Sequence, residues 1–292
     1  MSTEAIVYLN GDYVALDNAH ISVLDRGFIF GDGIYEVVPV YGGHPFRLPH
    51  HLQRLDNSLT AVRIKNPLSR VQWQEAIEQI IARNQYHDQS VYLQVTRGVA
   101  PRHHSFPHQN NPTVLIMTSP LEGQPDEISE TGIRAITLQD NRWLNCHIKS
   151  ISLLPNVLLR QEAQDKDAQE AILIRDGMAT EGTASNLFIV LNDCLFTPPM
   201  GPLLLPGVTR NLVVEIAKKN DLCLKERDIM ETELTNAQEI WLTSSTKEIL
   251  PVTTLNDKMV GNGKPGPFWQ KMMAAYQEHK ELLRSMASDS LF

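Results

Sequence analysis

Residues 119–132, beginning Ser119-Pro120-Leu121-Glu122-Gly123-Gln124-Pro125, are rich in proline, glycine and acidic side chains, the composition of a connection between domains. The break divides the chain near residue 125, into 1–124 and 125–292. With 292 residues and 42% hydrophobic content there is enough apolar material for two cores. Short apolar runs at 6–9 and 13–16 flank Asn10-Gly11-Asp12, a tight hairpin turn. Strand-like runs follow at 34–41, 91–97 and 113–118, and helical spacing of apolar residues covers 49–62 and 69–83. Beyond the break, strands at 133–138, 171–175, 187–191 and 239–243 alternate with helices at 155–165 and 209–219, and a last helix covers 267–285. The expected fold class is α/β (α+β) in two domains.

The formal net charge of −8 leaves no basic footprint for nucleic acid or an anionic membrane surface. Cys146, Cys194 and Cys223 are odd in number and form no CxxC pair, which argues against a disulfide framework and a zinc site and suits a reducing compartment. No run approaches the length of a membrane span, and the first residues lack a basic segment followed by an apolar one. A soluble cytoplasmic protein is expected. His103, His104 and His108 are close together, but no Asp, Glu or Cys completes a coordination shell, so no metal is expected.

Lys149 stands inside the otherwise uncharged stretch Asn145-Cys146-His147-Ile148-Lys149-Ser150-Ile151. An amine that loses hydration among apolar neighbours becomes available in its neutral form, which is how a Schiff-base lysine is made. Glu181 opens the small-residue loop Glu181-Gly182-Thr183-Ala184-Ser185-Asn186, and a carboxylate there suits a pyridinium nitrogen. Together the two read as the ends of a pyridoxal phosphate site. Taken singly, they better suit a snorkelling lysine and a solvated turn residue.

Gly207-Val208-Thr209-Arg210 opens a helix whose amides and dipole would face a dianion; the plainer alternative is a helix start capped by its own hydroxyl. Thr243-Ser244-Ser245-Thr246 ends a strand where hydroxyls could reach the same phosphate, or could simply make a turn. Arg54 offers a fork of donors, unless it pairs with Asp56 at the surface. In Pro101-Arg102-His103-His104-Ser105-Phe106-Pro107, two prolines stiffen a loop carrying arginine and histidine, a combination suited to trapping a carboxylate.

With these segments assembled, the chain resembles the class IV aminotransferases, the fold-type IV pyridoxal phosphate enzymes, and within them those of bacteria that act on D-amino acids such as D-alanine. The resemblance runs from Asp25-Arg26-Gly27 and Phe30-Gly31-Asp32-Gly33-Ile34-Tyr35-Glu36 through Lys149 and Glu181 to Thr243-Ser244-Ser245. It implies a two-domain fold with the cofactor at the domain interface and Lys149, in the C-terminal domain, bonded to it. Glu181 would hold the ring nitrogen, Leu205 would brace the ring, and Arg54, Val208, Thr209, Ser244 and Ser245 would take the phosphate. Tyr35, Arg102 and His104 would bind the substrate carboxylate, the last two from the partner subunit of a homodimer. The implied reaction is ping-pong transamination between a D-amino acid and a 2-oxo acid, 2-oxoglutarate or pyruvate. An L-branched-chain aminotransferase, an aminodeoxychorismate lyase and a cofactor-free binding module are the alternatives. His103 beside the trap and Pro155-Asn156 after Leu153-Leu154 depart from some relatives.

Overall fold

The structure, a computed structural model, describes residues 5–108 and 111–289. It divides into two units: the chain up to Glu122 with Ile148–Ser152 and the end from Lys280, and Gly123–His147 with Leu153–His279.

In the first unit, β1 (Ile6–Leu9) and β2 (Asp12–Ala15) pair through a two-residue turn in which Asn10 and Gly11 both take positive φ. Then come α1 (Arg26–Phe30), β3 (Gly33–Tyr41), β4 (His44–Pro45), α2 (Leu48–Ala61), α3 (Arg70–Arg83), β5 (Gln89–Thr96) and β6 (Thr113–Pro120). The six strands form an antiparallel sheet in the order β2-β1-β6-β5-β3-β4. Helix α3 starts with a capping box between Ser69 and Gln72.

Leu52, Leu55 and Leu59 on α2 and Trp73, Ile77 and Ile80 on α3 recur at helical spacing and share one core with Ile34, Val38, Val91, Leu93, Val95 and Ile116 of the sheet. Each such fully buried Ile or Leu contributes roughly 1.5–3 kcal/mol. Alternation along the strands leaves Tyr35, Val37, Tyr92 and Gln94 half-buried on the opposite side.

Lys149 belongs to this unit, not to the second one in which sequence alone places it. The Tyr35 amide donates to the Lys149 carbonyl (2.9 Å), the Ile151 amide to the Gly33 carbonyl (3.1 Å), and Ile34 bridges Ser150. These bonds satisfy the free edge of β3, which is why five residues from far along the chain pack here.

The second unit contains α4 (Asp126–Thr131), β7 (Ile133–Gln139), α5 (Leu154–Gln164), β8 (Glu170–Arg175), β9 (Met178–Gly182), β10 (Asn186–Leu191), β11 (Cys194–Thr197), α6 (Val208–Lys219), β12 (Leu224–Glu226), β13 (Ile229–Met230), α7 (Glu231–Leu234), β14 (Glu239–Ser244), β15 (Glu248–Leu255), β16 (Lys258–Met259) and most of α8 (Pro267–Asp289). The sheet runs β12-β11-β10-β14-β15-β7-β8-β9-β13, with β16 on β15. Strand β9 also pairs with β10 at Glu181 and Asn186, so the strand path returns on itself and sets those two side chains together. Leu159 and Ala163 of α5 cover Ala171 and Leu173 of β8.

Two features differ from the sequence expectation. The stretch 119–132 is not all connection, since it includes the end of β6 and the whole of α4. Cys194 and Cys223 form a disulfide with Cα atoms 4.8 Å apart, because β11 and β12 run parallel side by side; Cys146 remains free and buried. An odd count does not forbid one pair. Among the described residues no helix is long and apolar enough to cross a membrane, and no cluster of three His, Cys, Asp or Glu is placed to hold a metal.

Candidate active site

In the first unit the half-buried Lys149 donates its amide to Ser58 Oγ of α2 (3.2 Å), and its Nζ lies 4.0 Å from the centre of the Tyr35 ring. Among the described residues no carboxylate pairs with that amine. One residue on, strand alternation turns Glu36 into the core, where it is fully buried. An unpaired charge there would be costly. Glu36 instead accepts two bonds from Arg54, Nε at 2.6 Å and Nη2 at 2.8 Å, and one from His51 Nδ1 at 2.8 Å. Burial pushes the Glu36 carboxyl up, but Arg54 and His51 outweigh it and bring it down to about 2. His51 is held below its ordinary value, chiefly by burial and with help from the charges of Arg54 and Lys149, against the pull of Glu36. Arg54 is therefore locked to Glu36 and not to Asp56, which faces Arg70 instead.

Arg102 and His104 are exposed and meet at one ring: the Arg102 guanidinium is 5.4 Å from the centre of Phe30, and so is the His104 imidazole.

The second unit builds its own set around Glu181, which β9 buries to 3% exposure. Its Oε1 accepts from Arg142 Nη1 (2.7 Å), and its Oε2 from the Leu205 amide (3.0 Å) and Asn186 Nδ2 (3.2 Å). Arg142 is itself gripped by Asp140, at 2.9 and 3.0 Å. Burial drives the Glu181 carboxyl up to about 7, although Arg142 and the Leu205 amide pull the other way. Three donors occupy a group with about four acceptor positions, which leaves one for the N–H of a ring cation. Asn186 also donates to the Leu205 carbonyl (2.8 Å), so Leu205 is fixed from both sides.

Helix α6 starts at Gly207 with no side chain capping it, contrary to the self-capped alternative, while Val208 and Thr209 are buried. Buried opening amides without an acceptor suit an anion. The position must be glycine, because a Cβ there would come within 1.9 Å of Asn186 Oδ1. Arg210 turns away to the Pro198 carbonyl and Glu226. At the end of β14, Thr243 Oγ1 is buried with no partner, Ser244 Oγ accepts from the Lys247 amide, and Ser244 and Ser245 are half-buried. Uncapped amides, an orphaned hydroxyl and a carboxyl with one open position fit a phosphorylated pyridine. On the first unit, taken by itself, the unpaired Lys149 amine is of the kind that condenses with an aldehyde.

The aminotransferase class IV family model matches residues 33–255. The chain belongs to the class IV aminotransferases. This aminotransferase is 39% identical over 271 residues to a D-alanine aminotransferase of Bacillus licheniformis, covering 93% of this chain and 95% of the relative. It is 38% identical over 275 residues to one from Listeria monocytogenes, again covering 93% and 95%. Among solved structures it is similar to the branched-chain amino acid aminotransferase of Escherichia coli, with a TM-score of 0.88 and 26% identity, covering 94% of each chain.

Several residues of the aminotransferase's site carry no pattern in the sequence: Arg142, Asp140, Asn186, Glu36 and His51. The one usable signal is parity, since a glutamate at an inward position of a buried strand must have a cationic partner.

Proposed function

We propose that this aminotransferase is a cytoplasmic homodimer that transfers the amino group of a D-amino acid such as D-alanine to a 2-oxo acid such as 2-oxoglutarate or pyruvate, with pyridoxal phosphate as cofactor. The observation that carries the reading is Glu181, a buried carboxyl poised near neutrality with one acceptor position left. The D preference rests on the likeness to D-alanine aminotransferases over nearly the whole chain, together with Arg102 and His104 on one loop.

Pyridoxal phosphate, when bound, supplies an electron sink that lets the substrate Cα–H leave as a proton. Glu181 would hold its ring nitrogen charged, and Leu205 would brace the ring. Arg54, the Val208 and Thr209 amides, Ser244 and Ser245 would take the phosphate. Lys149 would hold the cofactor covalently at rest, and its Nζ, freed when the substrate amine takes its place, would carry the proton that leaves Cα. Tyr35, Arg102 and His104 would grip the carboxylate and so fix which hydrogen faces Lys149. Handedness follows from that orientation. One set of residues serves both half-reactions, hence ping-pong kinetics.

Dimerisation is supported by apolar surface within each unit. Leu154, Val157 and Leu158 form an exposed stripe on α5, and Val23 and Phe28 are 74% and 78% exposed near α1. Arg102 and His104 would then complete the partner's site.

Coupled assays of D-alanine and L-leucine, each with 2-oxoglutarate, test the substrate class. D-alanine should turn over faster, and faster L-leucine would instead support a branched-chain activity, the reading that the likeness to the Escherichia coli enzyme favours. Lys149→Ala should abolish turnover and the visible band of the bound cofactor.

A further inference from the structure

Asp32 lies just after α1, beyond the left-handed turn at Gly31. Two buried arginines from separate parts of the first unit converge on its carboxylate. Arg26 Nε and Arg97 Nε each donate to Oδ2 at 2.8 Å, and Arg97 Nη2 donates to Oδ1 at 2.9 Å. Each guanidinium also donates to main-chain carbonyls. Arg26 Nη1 donates to the His103 carbonyl at 2.5 Å and reaches that of Ser105 at 3.5 Å. Arg97 donates to the carbonyls of Arg63 (3.1 Å) and Val62 (2.8 Å), and its guanidinium lies 3.8 Å from the centre of the Phe106 ring, which Arg63 also contacts.

The carbonyls on both sides of His104 and the ring two residues beyond it are thereby tied to one carboxylate through two planar forks. Among the described residues no hydrogen bond or ion pair joins Arg102 or His104 to Asp32 or Arg97; both rest on Phe30 and are exposed. A guanidinium whose partner fixes its plane transmits that orientation to every other group it bonds. Removing the carboxylate would leave both cations buried and unopposed, so each would swing toward other acceptors and release the loop.

We infer that Asp32 is a positioning residue for substrate binding, holding the Arg102–His104 loop of its own subunit in the shape that the partner's active site requires. The inference rests on the reading that Arg102 and His104 bind the substrate carboxylate across a dimer. Asp32 never meets substrate. Its effect is exerted on carboxylate affinity and in trans.

The test compares the Asp32→Asn, Phe106→Ala and Arg102→Ala holoenzymes. For Asp32→Asn, KM for both D-alanine and 2-oxoglutarate should rise about tenfold or more, with kcat and the visible cofactor band little changed, because displacements of about 1 Å have effects of that order. Phe106→Ala removes an exposed ring, so it should fold even if Asp32→Asn does not, and should raise KM in the same direction by less. Mixed dimers of Lys149→Ala and Asp32→Asn subunits separate cis from trans. Their one competent site combines an intact lysine with an intact loop, so KM should return to the wild-type value at about half the wild-type kcat. A KM that stays raised in the mixed dimers overturns the trans assignment. Unchanged KM in the folded Asp32→Asn and Phe106→Ala enzymes, with KM raised in Arg102→Ala, overturns the role of Asp32 and leaves the function standing. Unchanged KM in Arg102→Ala overturns the underlying reading itself.

Discussion

Replacing Glu181 with glutamine should flatten the pH dependence of stability in the cofactor-free protein. In the folded chain the carboxyl sits at about 7, against 4.5 when exposed. Between those values the folded state holds a proton that the unfolded state has lost, so stability falls as pH rises across the interval. At about 1.4 kcal/mol for each unit of pKa, the loss is roughly 3 kcal/mol and is complete by about pH 8. His51 works in the opposite sense. Its value is lowered, so its contribution is lost as pH falls below about 6.5, and a raw profile would mix the two effects. Glu36, Asp32 and Asp140 are all held low and contribute no slope above about pH 5. The difference between wild type and Glu181→Gln isolates the one group. Thermal unfolding at pH 5, 6, 7 and 8 should show the wild-type midpoint falling behind that of Glu181→Gln as pH rises, by about 5–10 °C between pH 5 and pH 8. Adding pyridoxal phosphate should close the gap, since a ring cation favours the charged carboxylate. Parallel profiles for the two proteins from pH 5 to 8 would refute the reasoning.

Gly207→Ala would drive a methyl group into Asn186 Oδ1 and loosen its bonds to Glu181 and Leu205; cofactor affinity by equilibrium dialysis should fall at least about tenfold, a bidentate-type contact being worth that much. Glu36→Gln leaves Arg54 buried without its counter-charge and should cost about 3–5 kcal/mol in urea unfolding, with weaker phosphate binding measured on the same samples; an unaltered midpoint would mean that Arg54 finds another acceptor. Reducing Cys194–Cys223 opens a loop with a sequence separation of 29 and should lower stability by about 3–4 kcal/mol on the chain-entropy account. In a reducing compartment the pair would stand as thiols, so melting with and without dithiothreitol measures the stability the enzyme has there.

Long amphipathic elements could be read directly: α2, α3, α6 and the start of α8 show their spacing, and Asn10-Gly11 marks its hairpin. Strand β15 is not legible in the sequence because Pro251 interrupts it. Pro251 lies opposite Trp241 of β14, and pairing with β7 begins only at Val252, so the proline stands where β15 has a strand on one side alone. Lys149 and Glu181 stand out as charges in unusual company. Arg142, Asp32 and Glu36 do not, since a charged residue looks solvated in one dimension and each has a decisive partner 18 to 65 residues away. For the same reason the sequence alone puts Lys149 beyond the boundary, while the structure packs it in the first unit: hydrogen bonds to the edge of β3 leave no trace in composition.

The passage of Ile148–Ser152 and of the chain beyond Lys280 through the first unit bears on biosynthesis. When the ribosome has finished residue 122, the N-terminal sheet still lacks the segment that bonds the edge of β3 and the arginine, Arg284, that pairs with Asp88. Neither contiguous half made alone would contain the Lys149 amine in its native setting, because the first stops short of it and the second carries it without Tyr35 and Ser58. Splitting this polypeptide near residue 125 should therefore yield two incomplete pieces, and the nascent chain must keep its early sheet waiting at least until Arg284 has been made.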